Sequence, residues 1–281
     1  MGVAGTDYTG YKIVSVNDSS VVDFYASKDR TINWFDLLEN QYVVFMDNGE
    51  PVDKYKWQDG RLKGLCRKPL ESIAVGTVKA KNYQQEMAID ALMDTSTTVK
   101  VLSGIQGSGK TYLLAASAMH MALSGAYERI VWIRNNIEVK NTNKIGALPG
   151  TAYEKLLPFA MPLADHVGGR QALDMYVNRG TIEVESLSFL RGRDFKKSII
   201  MCSESEQLTT DHVALLLTRC AEGSIIMFDG DWRQVDARVF EQDNGLVTMI
   251  NKLKGQRLFS YVNLPESVRS DTARMADLLY H

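Results

Sequence analysis

No stretch of 18 consecutive apolar residues occurs in this chain of 281 residues, although 45% of them are apolar, and a hydrophobic membrane-spanning helix is thereby excluded. Cysteine is scarce. Cys66, Cys202 and Cys220 lack metal-ligand spacing, which removes the case for a zinc centre and points to free thiols in a reducing compartment. Histidine is equally thin, with His120, His166, His212 and His281 scattered. Charge of one sign is not in excess either. The formal net charge of −2 gives no whole-molecule attraction to nucleic acid, so any such binding must use a local basic patch. Residues 1–10 are polar and carry no charged-then-apolar export pattern, so the cytoplasm is the expected location. Internal repeats and low-complexity tracts are absent. What remains is a soluble globular chain with room for one large domain and a small one.

The most specific positive signal is Gly104-Ile105-Gln106-Gly107-Ser108-Gly109-Lys110-Thr111, which satisfies the GxxxxGK[ST] spacing. The apolar run at residues 99–103 precedes it and a helical pattern at residues 112–123 follows. Strand, loop and helix thus occur in the order that turns successive backbone N–H groups toward an anion. On this reading Lys110 reaches the β and γ phosphates of ATP and the Thr111 hydroxyl ligates Mg²⁺.

Residues 1–76 read as a small β-rich module. Strands are expected at 11–16, 21–26 and 41–46, with hairpin turns at Asp47-Asn48-Gly49 and Asp59-Gly60. Its aromatics, among them Trp34, Phe35, Tyr42, Phe45, Tyr55 and Trp57, are expected mainly to build the module's core, with a base-stacking platform as the sharper alternative. Residues 76–81 form the connection to a second domain, 77–281. There helices and strands alternate, as expected for a mostly parallel sheet covered on both faces. Strands are predicted at 99–102, 129–133, 182–187, 198–202, 224–228 and 258–263. Val213, Leu216, Leu217 and Cys220 carry helical spacing after Thr209-Thr210-Asp211.

In P-loop NTPases a second strand ends in an Asp that holds Mg²⁺, often followed by a Glu that orients water. The corresponding segment here is Ile199-Ile200-Met201-Cys202-Ser203-Glu204, with Ser203 at the Asp position. Glu204 is therefore the candidate for positioning water. Mg²⁺ is expected at Thr111 and Ser203, or at a neighbouring carboxylate such as Glu206 or Asp231. A third strand, Ile225-Ile226-Met227-Phe228-Asp229, runs into Gly230-Asp231 and Gln234, candidates for sensing the γ phosphate or its water. Gln85, at a helix start, offers an amide that matches the adenine edge. The densest basic patch, with Arg191, Arg193, Lys196 and Lys197, suits phosphate or nucleic-acid backbone contacts.

Together these pieces resemble the PhoH-like ATPases. The shared elements are Gln85 before the loop, Gly146-Ala147-Leu148-Pro149-Gly150 with Glu154-Lys155, Arg191-Gly192-Arg193, Ser203-Glu204-Ser205-Glu206, Gly230-Asp231 with Gln234, and Val268-Arg269, in order over residues 82–280. The departure is Ser203 in place of Asp and Glu206 in place of Gln. The resemblance implies an α/β P-loop fold with a RecA-like parallel sheet of the superfamily 1 helicase type, ATP as substrate, and action on RNA or single-stranded DNA. The nuclease domain found at the N-terminus of some members is not expected, because residues 1–76 are short and lack an acidic cluster.

Sequence is present for one RecA-like half, so motor action is expected to need a neighbouring subunit that supplies an arginine, with Arg269 first and then Arg193, Arg191 and Arg134. The resemblance points to a hexameric ring. The leading function is an oligomeric, nucleic-acid-dependent ATPase or helicase. The alternatives are a small-molecule or polynucleotide kinase, since the loop also fits one, and a slow or non-hydrolysing nucleotide-binding scaffold, since Ser203 is a neutral ligand.

Overall fold

A computed structural model describes residues 5–27, 29–66, 69–134, 152–235 and 237–269. A four-stranded sheet comes first in the chain, built from β1 (Tyr11–Ser15), β2 (Tyr42–Asp47), β3 (Glu50–Gln58) and β4 (Arg61–Gly64) in that order. Strands β1 and β2 are parallel, and the rest form an antiparallel meander. The turns Asn48-Gly49 and Asp59-Gly60 hold both central residues at positive φ, 48° and 89° in the first and 53° and 71° in the second. That is the twist a two-residue hairpin requires, and it explains the Asn-Gly and Asp-Gly pairs.

The strand expected at residues 21–26 is instead a helix, α1 (Ser19–Ser27). Val21 and Phe24 are buried while Val22 and Tyr25 are exposed, so the apolar spacing follows a helical turn rather than a strand's alternation. Asp18 starts it by accepting from the Ser20 N–H at 2.9 Å. Phe24 then packs edge-on to Phe35 and Phe45 at 5.9 and 5.4 Å between centroids, so these aromatics form the module's own core.

A short hairpin, β5 (Leu70–Ser72) and β6 (Gly76–Val78), leads to α2 (Tyr83–Met93). Beyond it lie β7 (Val99–Gly104), α3 (Lys110–Leu123), β8 (Arg129–Arg134), α4 (Ala152–Val167), α5 (Arg170–Asn178) and β9 (Ile182–Ser186). The chain continues through β10 (Ser198–Ser203), α6 (Thr210–Arg219), β11 (Ile225–Gly230), α7 (Arg238–Gln242), α8 (Gly245–Leu253) and β12 (Phe259–Leu264). Six of these strands form one parallel sheet in the order β12-β7-β11-β10-β8-β9, covering all six expected positions.

Alternation along each strand divides the interior into two cores. Ile130, Trp132, Ile199, Met201, Ile225 and Met227 pack toward α2, α3, α4 and α5. Val131, Ile133, Ile200, Cys202, Ile226 and Phe228 pack toward α6 and α8. Both faces are covered, which is why β10 and β11 read as unbroken apolar runs. Thr209 caps α6 by accepting from the His212 N–H, as its sequence position suggested. No helix among the described residues is long and apolar enough to cross a membrane.

The small sheet shares the larger core: Tyr11, Tyr42 and Val44 belong to the same apolar cluster as α2 and α3. Polar contacts reinforce the join. Tyr42 donates to Asp90 at 2.7 Å, and Lys56 Nζ lies 2.9 Å from Asp90 and 2.7 Å from Asp94, with the side chains of this ionic trio at most 12% exposed. Burial alone lifts the Asp94 carboxyl, but the Lys56 charge and the hydrogen bonds from Lys56 and Ser96 outweigh it and hold Asp94 well below the usual carboxylate range. A carboxyl depressed on folding contributes stability that is complete above its unfolded value near ~4 and is lost as pH falls through the folded value. Urea unfolding is therefore expected to show a loss on the order of 2 kcal/mol between about pH 5 and about pH 2 that is clearly smaller in Lys56→Met, where the Ser96 bonds still depress Asp94. Equal slopes in the two proteins would contradict this account.

Candidate functional site

The loop at residues 104–111 is shaped by its glycines. Gly104 has φ 147°, and a Cβ there would run into the Leu264 carbonyl of β12, so only glycine lets β7 stay against its neighbour while it bends away. Gly107 and Gly109 follow at φ 79° and 88°. Gly109 occupies the cap position of α3 and has no side chain to satisfy the first amides, which leaves them available to an anion. The Ser108 hydroxyl is buried without a partner, and Gln106 is exposed. Lys110 spans the loop, donating to the carbonyls of Gly104 at 2.7 Å and Ile105 at 2.9 Å. Burial pulls the Lys110 ammonium pKa down, against the opposing fields of Asp229, Asp231 and Glu206.

Gln85 braces this loop. Its amide N–H donates to the Ser108 carbonyl at 3.0 Å while its oxygen accepts from the Lys81 N–H at 2.9 Å. The side chain expected at an adenine edge thus has its oxygen and one N–H engaged by the protein itself.

A cavity of about 420 Å³ lies against the loop, at the carboxyl ends of the parallel strands. Thr111, Ser203, Glu204, Asp231, Gln234 and Arg269 all reach it. So does Asp229, a buried residue near the end of β11, whose Oδ2 accepts a hydrogen bond from the Thr111 hydroxyl and which has the Ser203 hydroxyl beside it. Its Oδ1 has no partner. Burial raises its pKa, with Thr111 and Lys110 acting the other way. In the sequence Asp229 closes a strand and carries no assigned role. The available signal was four apolar residues followed by an acid at a strand's carboxyl end.

Glu204 follows β10 in the left-handed region, φ 54°, and its carboxylate is gripped by Arg134, with Nε 2.9 Å from Oε2. Glu206, in the turn Ser205–Gln207, accepts from the Asp231 N–H at 3.1 Å, and burial, with Asp229 and Glu204 adding to it, pushes its carboxyl up to about 8. Asp231 accepts from the Arg233 N–H at 3.2 Å through its side chain and from the Gln234 N–H at 2.8 Å through its carbonyl. Gln234 keeps its side chain exposed.

The arginines are placed differently from expectation. Arg269, sought as a donor to a neighbouring subunit, lies over its own phosphate loop: a methyl group on Gly107 would overlap it, and the Val268 N–H donates to the Gly107 carbonyl at 3.0 Å. Arg134 is committed to Glu204. Arg193 is held by Glu183 at 2.6 Å and by Glu185, and it stacks on Phe195 at 4.8 Å, so it is an ion-paired strut rather than an open phosphate contact. Lys196 and Lys197 precede β10, at the amino end of the sheet, opposite the cavity; Lys197 lies 3.5 Å from Glu128. Arg191 and Lys196 are exposed. The four basic residues therefore do not form one surface around the cavity. The segment Gly146 to Gly150 lies outside the described residues.

A family model described as PhoH-like protein matches residues 77–281. Among curated proteins, the chain is similar to Protein PhoH2 of Bacillus subtilis, with 31% identity covering 97% of this chain and 64% of that protein. Protein PhoH2 of Mycolicibacterium smegmatis is 29% identical over 70% of this chain and 46% of its own length. The PhoH-like protein of Synechocystis is 30% identical, covering 68% and 58% respectively. This chain thus spans less than two thirds of these relatives. Among solved structures, the large terminase of a thermophilic bacteriophage, in complex with ADP, aligns over 71% of this chain and 50% of its own, with TM-score 0.42 and 12% identity. The Pif1 helicase of Candida albicans aligns over 72% and 44%, with TM-score 0.38 and 15% identity.

Proposed function

The chain belongs to the PhoH-like protein family, and on that footing we propose that it binds ATP with magnesium at residues 104–111 and hydrolyses it as an oligomeric ATPase or helicase stimulated by RNA or single-stranded DNA. The observation that carries this reading is the loop itself: three glycines at positive φ, an unpartnered Ser108 hydroxyl and a spanning Lys110, with Gly107, Gly109 and Lys110 on the wall of one cavity. Such a loop presents amides and one ammonium to phosphate oxygens, and its chemistry suits little else.

Each residue then has a task. Lys110 neutralises charge on the terminal phosphates, exchanging the two loop carbonyls for phosphate oxygens. Glu204 orients the attacking water and accepts its proton as the water oxygen bonds to the γ phosphorus and the bond from that phosphorus to the β–γ bridging oxygen breaks, ADP leaving with the bonding pair. Arg269 stabilises charge on the phosphate from within the same chain. Asp231 and Gln234 line the same cavity, where they would meet the γ phosphate and its water. Magnesium fits the donor set of hydroxyls and acids around the cavity: Thr111 and Ser203 would hold it together with a carboxylate, and it would supply a Lewis acid that offsets phosphate charge.

Phosphate release measured with and without single-stranded RNA or DNA tests the proposal. Turnover that rises with nucleic acid is the expected result. Label transferred to a hydroxyl acceptor would make the protein a kinase, and nucleotide uptake with no turnover would make it a scaffold. A homo-oligomeric ring, hexameric by the family resemblance, predicts a multi-subunit species in light scattering with ATP and RNA present; a single-subunit species during turnover would overturn it.

A further inference from the structure

The strand that carries Glu204 has lost its acid, yet an acid stands beside the gap. Strands β10 and β11 are parallel neighbours, with Cys202 opposite Phe228, so the next residues, Ser203 and Asp229, lie side by side at the carboxyl end of the sheet. Both continue the rows that face α3: Ile199 and Met201 lead to Ser203, and Ile225 and Met227 lead to Asp229. The two positions are therefore interchangeable as platforms for a side chain aimed at Thr111, the first-turn hydroxyl of α3.

Asp229 is the one of the two that carries charge. It is 2% exposed and lines the cavity, one oxygen accepts from Thr111, and its other oxygen is buried without a partner. A buried carboxylate kept only to accept from Thr111 would leave that second oxygen as a standing cost, whereas a cation would satisfy it. The neighbouring acids are engaged elsewhere. Arg134 holds Glu204, the Asp231 N–H occupies Glu206, and the Arg233 N–H occupies the Asp231 side chain.

We propose that Asp229, with Thr111, supplies the protein's anchor for the divalent cation of the bound nucleotide, directly or through water, and that Ser203 orients it: the anchoring acid has moved one strand across the sheet. This rests on the nucleotide-binding reading above. The exchange keeps one acid and one hydroxyl at the same level of the same two strands, so the charge the cation meets is unchanged. It also removes the reason to regard Ser203 as the mark of a slow or inactive site.

The test compares ADP affinity by calorimetry with magnesium and with EDTA, together with manganese binding by electron paramagnetic resonance in the presence of ADP. Wild type is expected to bind ADP more tightly with magnesium and to bind manganese with it. Asp229→Asn keeps the size and an acceptor for Thr111 while removing the charge. It should weaken manganese binding by about 10- to 100-fold and shrink the magnesium-to-EDTA ratio accordingly. Ser203→Asp with Asp229→Ser should recover most of both, because the acid returns to the adjoining strand. Should Asp229→Asn fail to fold, this exchanged pair decides in its place, and manganese binding no better than that of Asp229→Ser alone would overturn the proposal. Unchanged manganese binding in Asp229→Asn would overturn it as well, while leaving nucleotide binding intact. Wild type that takes up ADP under neither condition would overturn the nucleotide reading itself, and this proposal with it.

Discussion

Lys110→Ala is expected to lower ATP turnover by about 10²- to 10³-fold, the scale of removing one preorganised charge donor from a transition state. The side chain leaves the first turn of α3 and bends back to bond the Gly104 and Ile105 carbonyls, so its ammonium sits where terminal phosphate oxygens would take over those bonds. It is held in an acidic surround of Asp229, Asp231 and Glu206, and burial is already working against its charge. A ligand bearing several negative charges relieves that burden, so the largest part of the ammonium's interaction is reserved for the phosphates. Alanine is a good helix former at this position, and the fold should survive. Phosphate release checks the expectation, with circular dichroism confirming the fold; normal turnover in a folded variant would remove the loop from the chemistry.

Glu204→Gln is expected to slow hydrolysis by about 10²- to 10⁴-fold while nucleotide affinity changes little. Glutamine keeps the shape and an acceptor oxygen, so it can still place water, but it cannot take the proton. The geometry sharpens the expectation. Glu204 is held in the left-handed region directly after β10, and Arg134 on neighbouring β8 grips its carboxylate, so its reach into the cavity is set by backbone and ion pair together. Calorimetry and single-turnover phosphate release separate binding from chemistry. Unchanged turnover would take Glu204 out of the role of base, and lost binding would mean that the Arg134 pair serves the fold instead.

The large sheet was legible because its central strands β8, β10 and β11 are buried on both faces and read as short apolar runs closed by turn residues. The loop was legible because phosphate binding imposes glycines at fixed spacing. The helix α1 was not. Its sequence, Ser-Ser-Val-Val-Asp-Phe-Tyr-Ala-Ser, offers two buried residues three apart amid exposed apolar ones, and so short a segment supports either period. Asp229 escaped for a different reason. Its importance depends on β11 lying between β7 and β10, and chain order, in which β10 precedes β11 by a whole helix, does not state that adjacency. The arginines failed likewise: the basic run at 191–197 looks like one patch when read along the chain. In the fold Arg193 turns to Glu183 and Glu185 on edge strand β9, and the lysines pass to the other end of the sheet.

The helix α2 is gripped at both ends. Near its start Gln85 holds the Ser108 carbonyl, and toward its end Asp90 and Asp94 are held by Tyr42 and Lys56 of the small sheet. Its 11 residues make a stiff rod about 16 Å long. The small sheet cannot swivel without either tearing these grips or tugging at the carbonyl of Ser108, so a force applied to the small sheet reaches, along this strut, the backbone that would cradle phosphate.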